Sequence, residues 1–105
     1  MGFRGQHKNK RDANEPDLFS ELRAYGLSVE PMDKPMDALV GFRGRSYLVE
    51  VKTVKGPLTG PQETFLETWK GDCTILRTVE DASVFARAVR ADHGVKMVPF
   101  RGVIS

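Results

Sequence analysis

Two acids and a lysine hold most of the chemical information in this chain: Asp37, and the pair Glu50 and Lys52 within Glu50-Val51-Lys52. Side chains alternate along an extended strand, so Glu50 and Lys52 share one face. Segments 37–42 (DALVGF) and 46–53 (SYLVEVKT) have strand composition and meet at Arg43–Gly44, the pattern of a β-hairpin. With the turn centred on Arg43–Gly44, paired residue numbers add to 87 and Asp37 stands opposite Glu50. Directly paired residues have Cβ atoms about 4.5–5.5 Å apart. Two carboxylates that close repel, and one titrates upward unless a cation lies between them. Oxygen ligands suit a hard divalent ion such as Mg²⁺ or Mn²⁺. A turn centred on Gly44–Arg45 would instead pair Leu39 with Glu50.

The competing reading makes Asp37 and Glu50 unrelated surface acids and Lys52 a strand-end lysine paired with Glu50. Against it, Glu50 lies inside the run Leu48-Val49-Glu50-Val51, where an unpaired charge is costly to bury. Asp37 likewise opens an apolar strand.

The elements that must position these residues follow from pattern. Asn14 is a plausible N-cap, Pro16 fits a first turn, and Leu18, Phe19, Leu22 and Tyr25 form a helical stripe closed by Gly26. A short strand over 27–31 comes next. The hairpin carries Leu39 and Leu48 on one face and Val40, Val49 and Val51 on the other, so both faces need cover from helices. The loop 55–61 (KGPLTGP) leads to a second helix from about Pro61, with Phe65, Leu66 and Trp69 as its inward stripe and Gly71 as its stop. Segment 73–77 (CTILR) reads as a buried strand. Thr78 and Asp81 resemble a capping box, opening a helix to about Asp92 with Ala82, Phe85, Ala86 and Val89 inward and Gly94 as its stop. The order α-β-β-β-α-β-α specifies an α/β domain with a mixed sheet flanked by helices on both faces. Gln62 falls on the core stripe of the second helix, where an apolar residue is expected; it is a site candidate whose bland alternative is helix capping.

At 105 residues the chain is a single domain, read as a flexible basic arm over 1–13 and a folded unit over 14–105. No apolar run approaches the roughly 20 residues of a membrane span, and the basic N-terminus lacks a secretory signal's apolar stretch. A single cysteine, Cys73, excludes an internal disulfide scaffold and a cysteine-based zinc site and fits a reducing compartment. His7 and His93 are too few and too far apart for a histidine metal cluster. The net charge is only +2, yet it is blocky: +3 over 1–14, −4 over 15–37, +3 over 43–55, −3 over 63–81 and +3 over 84–101. Basic arms and patches track phosphates. Lys8, Lys10, Arg11, Arg43, Arg45 and Lys55 are the candidate nucleic-acid contacts. No Gly-x-Ser-x-Gly elbow occurs, and the Gly56/Gly60 loop lacks the Gly-Lys-Ser/Thr ending of a P-loop.

Pro35-Met36-Asp37, a hairpin and then Glu50-x-Lys52 together resemble the PD-(D/E)xK nuclease superfamily. The frame DALVGF…YLVEVKT…LTGPQETFLETWKG is similar to the small virus-type replication-repair (VRR-Nuc) nuclease domains and to archaeal-type Holliday junction resolvases. The likeness covers about residues 11–90 and draws on the Asn14-Glu15 helix and on Leu58-Thr59, Gln62 and Trp69-x-Gly71; the intervening Met36 departs from the family's first motif.

The resemblance implies a restriction-endonuclease-like core and a Mg²⁺- or Mn²⁺-dependent endonuclease acting on DNA, with branched DNA such as a Holliday junction or a repair intermediate as substrate. Asp37 and Glu50 would then ligate metal, together with the Val51 carbonyl. Lys52 would activate or orient water, Glu15 would help hold metal or its water, and Gln62 would match the family's glutamine. It also implies a homodimer and a cytoplasmic, nucleoid-associated setting in a prokaryotic or phage-infected cell; the apolar tail Val95–Ile104 could support a dimer or equally cover the sheet edge. The rival expectation is a nucleic-acid-binding module or partner subunit that keeps the fold without cleaving. A sequence-specific restriction nuclease needs recognition elements for which the chain has little room.

Overall fold

A computed structural model of the chain describes residues 12–91. Lys8, Lys10, Arg11 and the tail beyond Ala91 lie outside those residues. The described elements run α1 (Glu15–Ala24), β1 (Ser28–Pro31), β2 (Ala38–Phe42), β3 (Arg45–Val51), α2 (Gly60–Thr68), β4 (Cys73–Leu76) and α3 (Val79–Ala91). This is the expected order, with each strand trimmed by a residue or two. The four strands form one mixed sheet in the order β1-β2-β3-β4, antiparallel except for the parallel pair β3/β4. A parallel pair needs a long crossover, and α2 supplies it.

The β2–β3 register runs Ala38↔Val49 to Phe42↔Arg45, so partner numbers add to 87. The turn explains why. Arg43 and Gly44 both have positive φ (52° and 81°), the backbone of a two-residue hairpin turn whose twist matches the strands. A turn centred one residue later would have slid β3 by two residues along β2, keeping its faces but setting Leu39 instead of Asp37 across from Glu50.

β3 is buried on both faces from Tyr47 to Val51. One face packs Tyr47, Val49 and Val51, with Ala38, Val40 and Leu76, against α1 and α3. Those helices contribute Leu18, Phe19 and Leu22, and Ala82, Phe85, Ala86 and Val89, the stripes expected from their periodicity. The other face packs Leu48, Cys73 and Ile75 with Met36 against Leu66 of α2. Fully burying one such aliphatic side chain contributes about 1.5–3 kcal/mol.

The helix termini correct three sequence expectations. Asn14 occupies the N-cap position of α1 but makes no side-chain cap, with φ −83° and ψ −5° in place of extended backbone. The cap of α2 is Thr59, in a full capping box with Gln62, and the helix ends at Thr68 before Gly71. Trp69 falls just past that end and is 40% exposed, stacked on Phe65 at 5.2 Å; of the expected stripe only Leu66 is buried. The Thr78/Asp81 capping box of α3 forms as expected, with bonds of 3.0 and 3.1 Å. No described helix is long and apolar enough to cross a membrane.

The hairpin yields a test of backbone conformation alone. A Cβ at Gly44 would meet nothing within 4 Å, so Gly44→Ala is opposed only by its φ of +81°. Its expected cost is about 1 kcal/mol, read as a melting temperature lower by roughly 4–8 °C. An unchanged melting temperature would contradict the turn geometry.

Candidate active site

The site is assembled at the carboxyl end of β3. Asp37 sits just before β2 and is tied to β3 twice: its N–H donates to the Val49 carbonyl at 3.0 Å, and its Oδ2 accepts the Val51 N–H at 2.8 Å. Asp37 stands just beyond the last ladder pair, Ala38↔Val49, and its carboxyl shares a hydrogen bond with that of Glu50.

Glu50 lies on the α2 side of the sheet and is only 5% exposed. The α2 capping box reaches it. Gln62 uses its Oε1 to accept the Thr59 N–H at 2.9 Å and its Nε2 to donate to Glu50 Oε2 at 2.7 Å. Thr59 Oγ1 in turn accepts the Gln62 N–H at 3.2 Å. Capping residue and site candidate had been alternatives for Gln62; one side chain fills both roles, because its two ends carry different chemistry. Lys52 Nζ stands 3.6 Å from the same Glu50 oxygen, with its side chain 15% exposed.

Burial, first, and the nearby charge of Asp37, second, push the Glu50 carboxyl up to about 8; the Lys52 charge opposes them, and a hydrogen bond shared with Asp37 adds to the rise. At neutral pH the pair therefore holds a proton. The Lys52 contact becomes a true ion pair only once that proton is displaced. A hard dication would displace it by the same logic, since two facing carboxylates supply the oxygen donors such an ion prefers.

The donor set thus fits a divalent ion held by Asp37 and Glu50, beside the Val51 backbone. Among the described residues no three His, Cys, Asp or Glu side chains converge as a ready-made cluster. Glu15 is buried at the start of α1 but does not complete such a group with the pair.

Two residues tie the surrounding frame, and sequence pattern did not single out either role. Asn14 spends its amide across the fold, with Nδ2 donating to the Lys52 carbonyl at 3.3 Å and the Arg77 carbonyl at 3.1 Å. It fastens the start of α1 to the ends of β3 and β4, and its buried Oδ1 has no protein partner. Arg77 Nη1 donates to the Thr53 and Gly56 carbonyls, both at 2.7 Å, shaping the loop that follows Lys52 and carries exposed Lys55. Polar residues after strands were the available signal, but their partners are remote in sequence.

Arg43 and Arg45 are not part of this constellation. Arg43 lies in the hairpin turn and Arg45 opens β3, and the five steps from Arg45 to Glu50 span about 17 Å of strand. Arg45 is bonded to Asp72 at 2.7 Å. Compared with family models, curated proteins and solved structures, the chain matches none.

The raised Glu50 carboxyl gives a signed prediction. Between its ordinary 4.5 and about 8, the folded chain keeps a proton that the unfolded chain has released. Stability therefore falls as pH rises through that window. Without divalent ions, wild type should melt lower at pH 9 than at pH 5, whereas Glu50→Gln, which keeps an acceptor for Gln62, should lose less. At pH 9 the variant should melt roughly 5–10 °C above wild type. Parallel melting curves across pH would show that Glu50 is not a buried acid.

Proposed function

We propose that this protein is a metal-dependent endonuclease that hydrolyses DNA phosphodiester bonds, of the PD-(D/E)xK type with a restriction-endonuclease-like core. The observation that supports it is the convergence of Asp37, buried Glu50 and Lys52 on one face at the end of β3, backed by Gln62. The open carboxyl ends of parallel strands are where α/β sheets bind ligands.

A bound Mg²⁺ or Mn²⁺ would supply Lewis-acid charge at the phosphoryl oxygen and lower the pKa of water toward neutrality. Asp37, its carboxylate fixed by the Val51 N–H, would help hold that ion. Glu50, held in orientation by Gln62 and through it by Thr59, would be its second carboxylate ligand. Lys52 lies beside them with an ammonium that can orient water and offset negative charge developing on the phosphoryl oxygens. Water would attack directly, so no covalent protein nucleophile is needed. Glu15, buried next to Asn14 at the start of α1, would help hold the metal or its bound water. Lys55, exposed on the loop held by Arg77, would meet the phosphate backbone of the entering strand. Cutting both strands of a duplex calls for two copies, which makes a homodimer the working form.

Purified protein with Mg²⁺ or Mn²⁺ should cut DNA, with four-way junctions and flaps preferred over linear duplex and single strands. Asp37→Ala, Glu50→Ala and Lys52→Ala should each lower the rate by roughly 10²–10⁴-fold while circular dichroism stays native. Undiminished cutting by Glu50→Ala rejects the proposal. Salt-dependent DNA binding with no metal-dependent product would instead identify a binding module.

A further inference from the structure

The hairpin end of the sheet carries a second concentration of positive charge that the site at the opposite end does not use. The Phe42 ring has two guanidiniums over it: Arg43 at 5.1 Å from the centroid and Arg90, from the last turn of α3, at 5.3 Å. Arg90 is fixed further by donating from Nη1 to the Tyr25 carbonyl at 2.8 Å. Among the described residues neither guanidinium has a carboxylate partner. Beside this stack lies an open depression of about 410 Å³, floored by Gly26, Ser28, Gly41, Gly44 and Ser46. Glycines without side chains and two serine hydroxyls leave the backbone approachable by a bulky anion.

The turn itself argues for use. A two-residue turn with both φ positive favours Asn or Gly at its first position. Here that position is Arg43, at φ +52°, a conformation an unbranched L residue adopts only at some cost. A strained backbone carrying an exposed, unneutralised guanidinium stacked on an aromatic ring presents its donors in a fixed plane, suited to phosphate oxygens.

The placement decides what kind of nucleic acid would reach it. Phe42 packs with the α1/α3 face of the sheet, whereas Glu50 lies on the α2 face at the other end of β3. The separation along the strand is about 17 Å. A straight duplex seated at the Asp37–Glu50 pair runs past one face and cannot also lie on the other.

We infer that the Arg43–Phe42–Arg90 stack and its depression form a second DNA phosphate site, which takes a different arm of a branched DNA from the arm held at the Asp37–Glu50–Lys52 site. The inference rests on DNA being the polymer engaged there, and adds how branched and linear substrates are told apart.

The experiment measures affinity for a four-way junction and for a linear duplex of the same sequence, over a salt series with Ca²⁺ in place of Mg²⁺. Arg43→Ala/Arg90→Ala should weaken junction binding roughly tenfold and flatten its log K against log salt slope by about 2, two phosphate contacts at about 0.9 each. Linear-duplex affinity should change less than twofold. Arg43→Asn separates binding from folding: it should raise the melting temperature, because Asn suits the turn, yet lower junction affinity. Because it leaves Arg90 and Tyr25 untouched, it decides the question even if the double variant folds poorly. Equal losses on junction and duplex, no loss on either, or junction binding unaltered by Arg43→Asn would each overturn the inference. Wild type that binds junctions through these arginines but cuts nothing would keep this inference and remove the nuclease reading, whereas Lys52→Ala that stops cutting with junction affinity intact would support both.

Discussion

The structure turns on one buried acid. Glu50 sits in the central strand, with Leu48 and Val49 before it and Val51 after it, and is covered by α2. Nothing in hydrophobic packing asks for a carboxyl there, and its burial raises the cost of ionisation enough to move the group to about 8. Such a residue persists only where its neighbours compensate it or where its discomfort is useful. Here they compensate in part: a neutral amide bonds to it, an ammonium stands near without touching, and a second carboxyl opposes it. Incomplete compensation of this kind is what the proposed metal site rests on.

The remaining architecture keeps that arrangement rigid. β3 divides its two faces between different tasks. One is dry and apolar against α1 and α3, so the strand cannot rotate or slip. The other begins apolar, with Leu48 under Leu66, and becomes polar only at its carboxyl end. Asp37 is anchored by two bonds to β3 backbone, so its distance from Glu50 is set by ladder geometry. The Asn14 amide, bridging the ends of both parallel strands, prevents them from splaying at the point where the polar groups begin.

Most of this was legible in the chain because it rests on local rules. The period of two in Val49 and Val51, the turn pair Arg43–Gly44 and the stripes of α1 and α3 each specify their element, and the register followed from the turn. What escaped has a common cause. Asn14 was read as a cap because caps are local, yet its partners lie 38 and 63 residues away. Trp69 was read as core from helical spacing, but the helix ended one residue before it and extended backbone carried the ring outward. The separation of Arg45 from Glu50, about 17 Å along β3, is likewise invisible in a charge count that places both in one short basic block.

The identity of residue 62 carries the argument furthest. An Arg or Lys in that position, 2.7 Å from Glu50, would neutralise the carboxylate permanently and return its pKa toward the ordinary range. The Asp37–Glu50 pair would then have little affinity left for a dication. A Leu would leave the carboxyl free to rotate. Glutamine fixes the oxygen's direction without supplying charge, and its other end is occupied by Thr59, so the amide cannot turn. Lys52, at 3.6 Å, pulls the Glu50 carboxyl back down, but burial and Asp37 outweigh it. Orientation and charge balance are thereby assigned to different side chains. That division leaves Glu50 aligned by an amide while its proton is shared with Asp37 rather than removed by a fixed cation.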